Sequence, residues 1–228
     1  MTGTDTGVGK TLVACALLRA FAARGLTAIG MKPVASGAEP DARGLVSEDV
    51  ERLIAAGNVS APREEVNPYC FAAPIAPHLA AAEAGMEIDL DHIGRCFNAL
   101  TERADVVIVE GVGGFRVPLA DHLDTAHLAA RLALPVVLVV GMRLGCLNHA
   151  LLTADAVAGR GLKLAGWVAN HIEPQMAAAD ENVRSLERLI GAPLLARIPH
   201  AAVPDPCLIA SQLALARLMQ LVGVTAAG

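Results

Sequence analysis

The sequence predicts an α/β protein with a doubly wound, mostly parallel sheet that carries helices on both faces. Two observations predict this class: short β-like runs alternate with helical stretches, and the runs are continuously apolar, as strands are when both faces of a sheet are covered. Of the 228 residues, 54% are hydrophobic, which suits a large core. No repeat, low-complexity tract or linker interrupts the pattern, so we expect a single domain over residues 1–228.

The clearest strands are predicted from three continuous apolar runs, at residues 106–109, 136–140 and 165–169. Two further candidates are residues 27–32 and 194–198. In sheets of this kind, ligands bind beyond the carboxyl ends of the strands, in the loops that lead to the next helices. The residues that follow the runs are therefore the first candidates for a functional site.

The helices are predicted in the stretches between these strands. They cover residues 10–24, 48–56, 90–103, 125–132, 147–160 and 178–190, and a last helix covers about 208–221. The proline-containing stretch 62–77 is better explained as an ordered loop over a site than as a boundary between domains.

The charge and the cysteines narrow the class of protein. Only 18% of the residues are charged and the formal net charge is −5, which argues against a broad basic face that grips nucleic acid or an anionic membrane. No apolar run approaches the roughly 20 residues that span a bilayer, and no signal peptide is evident. The five cysteines are scattered, as is typical of reduced thiols. We expect a soluble cytoplasmic protein.

A glycine-rich segment from Gly3 to Thr11 opens the chain and runs directly into a predicted helix. Such a loop presents free backbone N–H groups to phosphate oxygens. Lys10 would neutralise the β- and γ-phosphates, and the Thr11 hydroxyl would coordinate Mg²⁺. Five residues, rather than four, separate Gly3 from Gly9, so this is a lengthened phosphate loop. The segment predicts a nucleotide site of the P-loop NTPase kind.

A buried strand is expected before a phosphate loop, yet only Met1 and Thr2 precede this one. The loss of a central strand would leave backbone groups of its neighbours unpaired, which is costly in a buried sheet. We therefore expect the natural chain to begin several residues upstream of Met1, or its start to be misassigned.

Two charged residues end predicted strands at the same edge as the phosphate loop. Glu110 follows residues 106–109, and a carboxylate there is placed to be a second Mg²⁺ ligand. The glycines beyond it, Gly113 and Gly114, allow close backbone approach. Lys32 ends the run 27–32; a strand-end lysine is more often solvated, but this position favours a role in stabilising charge during phosphoryl transfer.

Four polar positions keep two interpretations each. Ser36 could donate to a substrate oxygen or only form a turn. Asp49 could serve a site or only complement the dipole of the helix that it begins. The segment 144–149 could bind an anion at a helix start or only cap that helix. Asn170 has an amide suited to reading an adenine edge, although a strand-end asparagine commonly just turns the chain.

Together, these motifs resemble those of the dethiobiotin synthetases. The segments that carry the resemblance follow that family's order: TGTDT at 2–6, GKT at 9–11, KPVASG at 32–37, VNPY at 66–69, VEG at 109–111, GG at 113–114, LGCLNH at 144–149 and LAGWVAN at 164–170. The lengthened phosphate loop, a departure from the usual pattern, matches this family's own form.

The resemblance implies an ATP- and Mg²⁺-dependent cyclo-ligase of biotin biosynthesis. It would form dethiobiotin from 7,8-diaminononanoate, CO₂ and ATP through a carbamate and a carbamic-phosphoric anhydride. The implied catalytic residues are Lys10 and Lys32, and the implied Mg²⁺ ligands are Thr11, Asp49 and Glu110, which removes the ambiguity at Asp49. The implied ATP-binding residues are Val8, Gly9, Lys10, Thr11, Leu12, Asp49, Glu110, Gly111, Val112, Gly113, Asn170, His171, Pro199, His200 and Ala201.

The resemblance also implies where the diamine binds. Thr6, Ser36 and Asn148 match substrate-binding positions, and the loop of Asn148 matches a region that reaches the substrate site of the partner subunit, so a homodimer is implied. His171 departs from the acidic residue found after Asn170 in relatives. Of residues 199–201, only the proline keeps the family's pattern. Both departures concern residues that are expected to contact the adenine base of ATP.

A competing interpretation comes from a different class of protein. A nucleotide-driven switch that resembles the partitioning ATPases would share the loop and the strands, but would use ATP to control dimerisation or surface binding. The loop 32–36 and the segment 67–69 favour the synthetase, since a switch has no evident need for them.

Overall fold

The strands and helices of the chain are given by a computed structural model, which describes residues 1–42 and 44–225. Residues 43 and 226–228 of the predicted domain lie outside the described residues. The strands are β1 (Thr2–Gly3), β2 (Ala28–Met31), β3 (Val34–Ser36), β4 (Glu39–Asp41), β5 (Gly44–Val46), β6 (Tyr69–Phe71), β7 (Val106–Val109), β8 (Pro118–Ala120), β9 (Leu123–Asp124), β10 (Val136–Gly141), β11 (Leu164–Asn170) and β12 (Leu194–Ile198).

The helices alternate with the longer strands along the described chain. They are α1 (Lys10–Ala22), α2 (Glu48–Ala56), α3 (Arg63–Val66), α4 (Pro77–Glu83), α5 (Leu90–Thr101), α6 (Thr125–Leu132), α7 (Cys146–Gly159), α8 (Ala179–Leu189), α9 (Pro206–Gln212) and α10 (Leu215–Val222). This alternation confirms the predicted α/β class.

A parallel sheet forms the centre of the fold, in two parts that meet at the amino terminus. In one part β1, β10, β11 and β12 are adjacent in that order, and in the other β2 pairs with β7. Met1 joins the parts, because its amino group donates to the carbonyl oxygen of Val109 at 2.7 Å and its own carbonyl accepts from the N–H of Gly111 at 3.0 Å. The resulting order is β2-β7-β1-β10-β11-β12, with β1 as its shortest strand.

Helices cover both faces of this sheet, and the alternation of side chains along β10 shows how. Val137 and Val139 face one side, where they belong to a core cluster built with α1, α9 and α10. Leu138 and Val140 face the other side, in a cluster built with α7 and α8. A run that is buried on both faces has no need of polar residues, which explains its continuous apolar character.

The five predicted strands are confirmed, with ends that differ by at most one residue. The last predicted helix is wrong as a single element, because residues 208–221 contain the end of α9 and most of α10. Leu213 between them has an extended backbone (φ −69°, ψ 135°), and the N–H of Ala214 donates to the carbonyl of Leu195 at 2.8 Å. This long-range bond to β12 interrupts the helix.

The predicted loop 62–77 is partly ordered into regular structure, since it contains α3 and β6. The short pairs β3–β6, β4–β5 and β8–β9 lie outside the central sheet, and the latter two are antiparallel. Within the described residues, no helix combines the length and the apolar character needed to cross a bilayer.

Candidate active site

The phosphate loop connects β1 to α1 at the carboxyl edge of the central sheet. Gly9 has φ +92°, and a Cβ added there would lie 2.3 Å from Nδ2 of Asn170. This amide closes the loop against the end of β11, because its Nδ2 donates to the carbonyl of Val8 at 2.8 Å. Lys10 is buried and donates to the carbonyl of Asp5 at 2.9 Å. The loop is thus held in place by the strand ends around it.

Four side chains, namely one lysine, two carboxylates and one hydroxyl, meet beside this loop. The Nζ atom of Lys32 lies 2.8 Å from Oδ2 of Asp49 and 2.5 Å from Oε1 of Glu110. The Thr11 hydroxyl lies 2.8 Å from Oδ1 of Asp49 and 2.9 Å from Oε1 of Glu110. Because a hydroxyl has a single hydrogen, it donates to one of the two carboxylates at a time. The structure therefore brings together the proposed catalytic and metal-binding residues, with Lys10 next to them.

Burial and charge move the pKa values of three of these side chains. Burial lowers the pKa of Lys10 to about 8, and the neighbouring charge of Lys32 acts in the same direction. For Lys32 burial would also lower the pKa, but the carboxylates of Glu110 and Asp49 outweigh it, so the pKa lies above its usual value. Burial opposes ionisation of Asp49, yet the charge and hydrogen bond of Lys32 hold the pKa of Asp49 below its usual value.

The oxygen atoms at this point fit Mg²⁺. Two carboxylates and a hydroxyl converge there, and Glu110 is fully buried with an Oε2 atom that has no hydrogen-bond partner among the described residues. Mg²⁺ in phosphate sites is held by one or two carboxylates, with phosphate and water completing its shell. No group of three or more His, Cys, Asp or Glu side chains suited to a metal is found among the described residues. The proposed set has only two acidic members, so it agrees with that finding.

A single polar cleft contains most of the predicted site residues. The predicted residues that line it are Thr6, Gly9, Lys10, Thr11, Leu12, Lys32, Ser36, Asp49, Glu110, Val112, Gly113, Asn170, His171, Pro199, His200 and Ala201. Three predicted residues lie elsewhere. Val8 has a buried side chain in the core, Gly111 lines an apolar cavity between β7 and β10, and Asn148 lies on α7.

Comparison with known proteins shows the family. A family model described as "AAA domain" matches residues 1–206. The chain is 57% identical over 215 residues to the ATP-dependent dethiobiotin synthetase BioD of Aromatoleum aromaticum, covering 94% of this chain and 96% of that one. Its identity to the protein of the same name from Nitrosospira multiformis is 55% over 218 residues, covering 96% and 95%. The chain belongs to the ATP-dependent dethiobiotin synthetase family.

Solved structures place this dethiobiotin synthetase family member among the P-loop NTPase folds. The MinC:MinD cell division protein complex of Aquifex aeolicus has a TM-score of 0.57 at 14% identity, covering 98% of this chain and 95% of that one. A ParA family ATPase from Chlorobium tepidum has a TM-score of 0.52 at 13% identity, covering 99% and 91%. Identities this low show the fold alone. The much higher identity to the synthetases disfavours the competing interpretation as a switch.

Some residues that line the cleft of this dethiobiotin synthetase family member are not among the site residues predicted from the sequence. They are Asp5, Ser47, Arg52, Val117, Ile172 and Pro204, together with residues 74–77. Residues 74–77 end the stretch that is predicted to form a loop over a site, so a signal for them exists. Arg52 and Val117 reach the cleft only through the packing of their elements, and no local pattern marks them.

Proposed function

We propose that this cleft converts 7,8-diaminononanoate, CO₂ and ATP into dethiobiotin, ADP and phosphate. The observation that carries the proposal is the cluster of Lys10, Thr11, Lys32, Asp49 and Glu110, in which two cations and two carboxylates meet beside the phosphate loop. Family membership supplies the substrates, and the cluster supplies the means of phosphoryl transfer.

The reaction proceeds in three steps that balance without a covalent enzyme intermediate. One amine of the substrate adds to CO₂ and loses a proton, which gives a carbamate. A carbamate oxygen attacks the γ-phosphorus of ATP, so that ADP leaves and a carbamic-phosphoric anhydride remains. The second amine attacks the carbonyl carbon, phosphate leaves with the electron pair, and loss of a proton completes the five-membered urea ring. Binding both amines beside ATP provides proximity, which is worth about 7–11 kcal/mol in favourable cases.

The two lysines are proposed to stabilise the charge that develops on the transferring phosphoryl group. Lys32 remains protonated because its pKa is raised, so it offers a fixed positive charge. Lys10 can leave the carbonyl of Asp5 to contact the β- and γ-phosphates. Thr11, Asp49 and Glu110 would hold Mg²⁺, which when bound neutralises phosphate charge.

One end of the cleft is proposed to bind the diamine, and the other end is proposed to bind the adenine base of ATP. Ser36 has a buried hydroxyl with no partner among the described residues, so it is free to bond a substrate oxygen or amine, and Thr6 lies in the same cleft. At the other end, Asn170 uses its Nδ2 for Val8, which leaves Oδ1 to accept from the amino group of adenine. His171 and residues 199–201 line this end.

A homodimer is proposed because Asn148 lies outside the cleft of its own protomer. The loop before α7 and α7 itself carry exposed apolar side chains, with Leu144 at 92% and Leu152 at 60% exposure. Apolar side chains clustered on a surface favour contact with another protein. In the proposed dimer, Asn148 reaches the diamine site of the partner subunit. We further propose that residues 1–228 act as one domain and that the enzyme works in the cytoplasm.

The test is dethiobiotin formation, measured by mass spectrometry with purified protein, the diamine, bicarbonate, ATP and Mg²⁺. We expect product only when all four are present. Omission of each component in turn is the internal control. ATP hydrolysis that is independent of the diamine, with no dethiobiotin, would contradict the proposal and support a nucleotide switch instead.

A further inference from the structure

Residues 111–117, which connect Glu110 to β8, form one wall of the cleft. Gly113 in this wall has φ +61°, and a Cβ added there would lie 2.9 Å from Cγ2 of Val117 and 3.6 Å from Oγ1 of Thr6. The wall therefore lies against the part of the phosphate loop that is proposed to contact the diamine. A shift of its backbone would change the shape of the cleft at the diamine end.

One buried side chain outside the cleft lining holds the backbone of this wall. The hydroxyl of Thr125 donates to the carbonyl of Phe115 at 2.7 Å and accepts from the N–H of Val117 at 3.0 Å. The N–H of Thr125 also donates to the carbonyl of Val117 at 2.9 Å. Thr125 is only 8% exposed, so water does not readily replace these bonds.

The start of α6 does not require this hydroxyl. Asp124 already caps the helix, because its side chain accepts from the N–H of His127 at 3.0 Å, while the N–H of Asp124 donates to Nδ1 of His127 at 3.1 Å. These reciprocal bonds form a complete capping box. The bonds of the Thr125 hydroxyl are thus directed to the wall and not to its own helix.

We propose that Thr125 is a positioning residue that sets the wall formed by residues 111–117 and thereby the affinity for the diamine. The proposal rests on the proposed function, since it assigns the diamine to the end of the cleft beside Thr6. It distinguishes the two substrates: Gly111, Val112 and Gly113 belong to the implied ATP-binding set, whereas the hydroxyl of Thr125 holds Phe115 and Val117, which do not.

The test compares Thr125→Val, which keeps the shape but removes both hydroxyl bonds, with Thr125→Ser, which restores them. In the valine variant we expect the KM for the diamine to rise by about fivefold or more and the KM for ATP to change by less than about twofold. The serine variant should return the diamine KM to within about twofold of wild type. His127→Ala is the matched control, because it removes one bond of the capping box while Asp124 keeps its pairing with Arg116 of the wall.

A second measurement is independent of turnover. Hydrogen exchange at the backbone amides of residues 112–117 should be faster in Thr125→Val and unchanged in His127→Ala. Thr125 has only a structural role if Thr125→Val and His127→Ala raise the KM for the diamine and the hydrogen-exchange rate by equal amounts. The same conclusion follows if Thr125→Val changes neither quantity. If wild type forms no dethiobiotin, the proposed function fails, and the exchange data alone then decide whether Thr125 holds the wall.

Discussion

At the level of single residues, Lys32 lies between the two carboxylates of the proposed metal site. Replacing it in Lys32→Met keeps an unbranched side chain that is one heavy atom shorter and removes its charge. We expect turnover to fall by about a hundredfold or more, the size of effect found when one group that stabilises a transition state is removed. The dissociation constant for ATP, measured by calorimetry, should change by less than about threefold, because Lys10 and the loop remain.

The control for this variant is Lys163→Met. Lys163 is exposed and donates to the carbonyl of Leu221, far from the cleft. It should leave turnover unchanged. Ring closure at a near-normal rate in Lys32→Met would remove Lys32 from the mechanism.

The loss of the Glu110 charge is expected to affect Mg²⁺ binding, whereas the loss of the Lys32 charge is expected to affect turnover. In Glu110→Gln the shape is kept, but one charge of the proposed Mg²⁺ site is lost. We expect the Mg²⁺ concentration for half-maximal turnover to rise by about tenfold or more, because carboxylate charge sets affinity for this ion. Asp105→Asn tests a carboxylate that precedes the same strand, where Asp105 accepts from the N–H of Thr27 at 2.8 Å. If Glu110→Gln and Asp105→Asn show the same Mg²⁺ dependence, Glu110 is not a ligand of the metal.

We expect ATP binding to depend on pH through Lys10. Its pKa of about 8 in the folded, ligand-free protein lies below the usual 10.5 of the unfolded chain, so the folded state holds fewer protons between these values. The stability of the ligand-free protein therefore rises with pH in that window. A bound triphosphate favours the charged amine and raises its pKa. We expect ATP binding to take up a proton at pH 9 and almost none at pH 7.

Calorimetry in buffers of different ionisation enthalpy measures this proton uptake. Lys10→Arg is the matched variant, since a guanidinium stays charged over the whole range. Uptake at pH 9 that is the same in wild type and Lys10→Arg would show that another group binds the proton.

At the level of elements, β1 is short compared with the strands on either side of it. Beside it, between β7 and β10, lies an apolar cavity whose lining includes Val109, Phe115, Leu132 and Val136. An engineered extension of four apolar β-forming residues before Met1 should fill this cavity. Burial of a few such side chains contributes several kcal/mol, so we expect the Tm to rise by about 5 °C or more.

The matched control is an extension of the same length made of glycine and serine. It should leave the Tm unchanged, because it brings no apolar side chains to the cavity. Equal melting temperatures for the two extensions would show that the cavity does not accept a strand.

The elements that were predictable from the sequence are those buried on both faces. Residues 136–140 and 165–169 match β10 and β11 to within one residue at each end, since a continuous apolar run is typical of a strand covered on both faces. The exposed strand β4 carries no such pattern, and the break at Leu213 depends on a bond to a distant strand. The role of Asp49 could not be chosen from its residues alone, because its distance to Thr11 results from the packing of α2 against α1.

At the level of the whole molecule, the proposed dimer places a surface of one protomer beside the cleft of the other. Leu144→Asp introduces a charge at a 92% exposed position of that surface. We expect the dimer to dissociate in sedimentation experiments and the KM for the diamine to rise, while ATP binding persists. Leu189→Asp, at a 59% exposed position of α8, serves as the control and should stay dimeric. A dimeric Leu144→Asp protein would place the interface elsewhere.

Nucleotide bound in the proposed site would contact both parts of the central sheet. Lys32 and Glu110 follow β2 and β7 on one side of β1, whereas Asn170 ends β11 on the other. A molecule of ATP in the cleft would contact residues at the ends of both parts of the sheet and so link them. At a concentration a hundred times its Kd, a ligand adds about 2.7 kcal/mol to folding stability. Bound ATP would thus stabilise the folded arrangement of the two parts of the sheet as well as being a substrate.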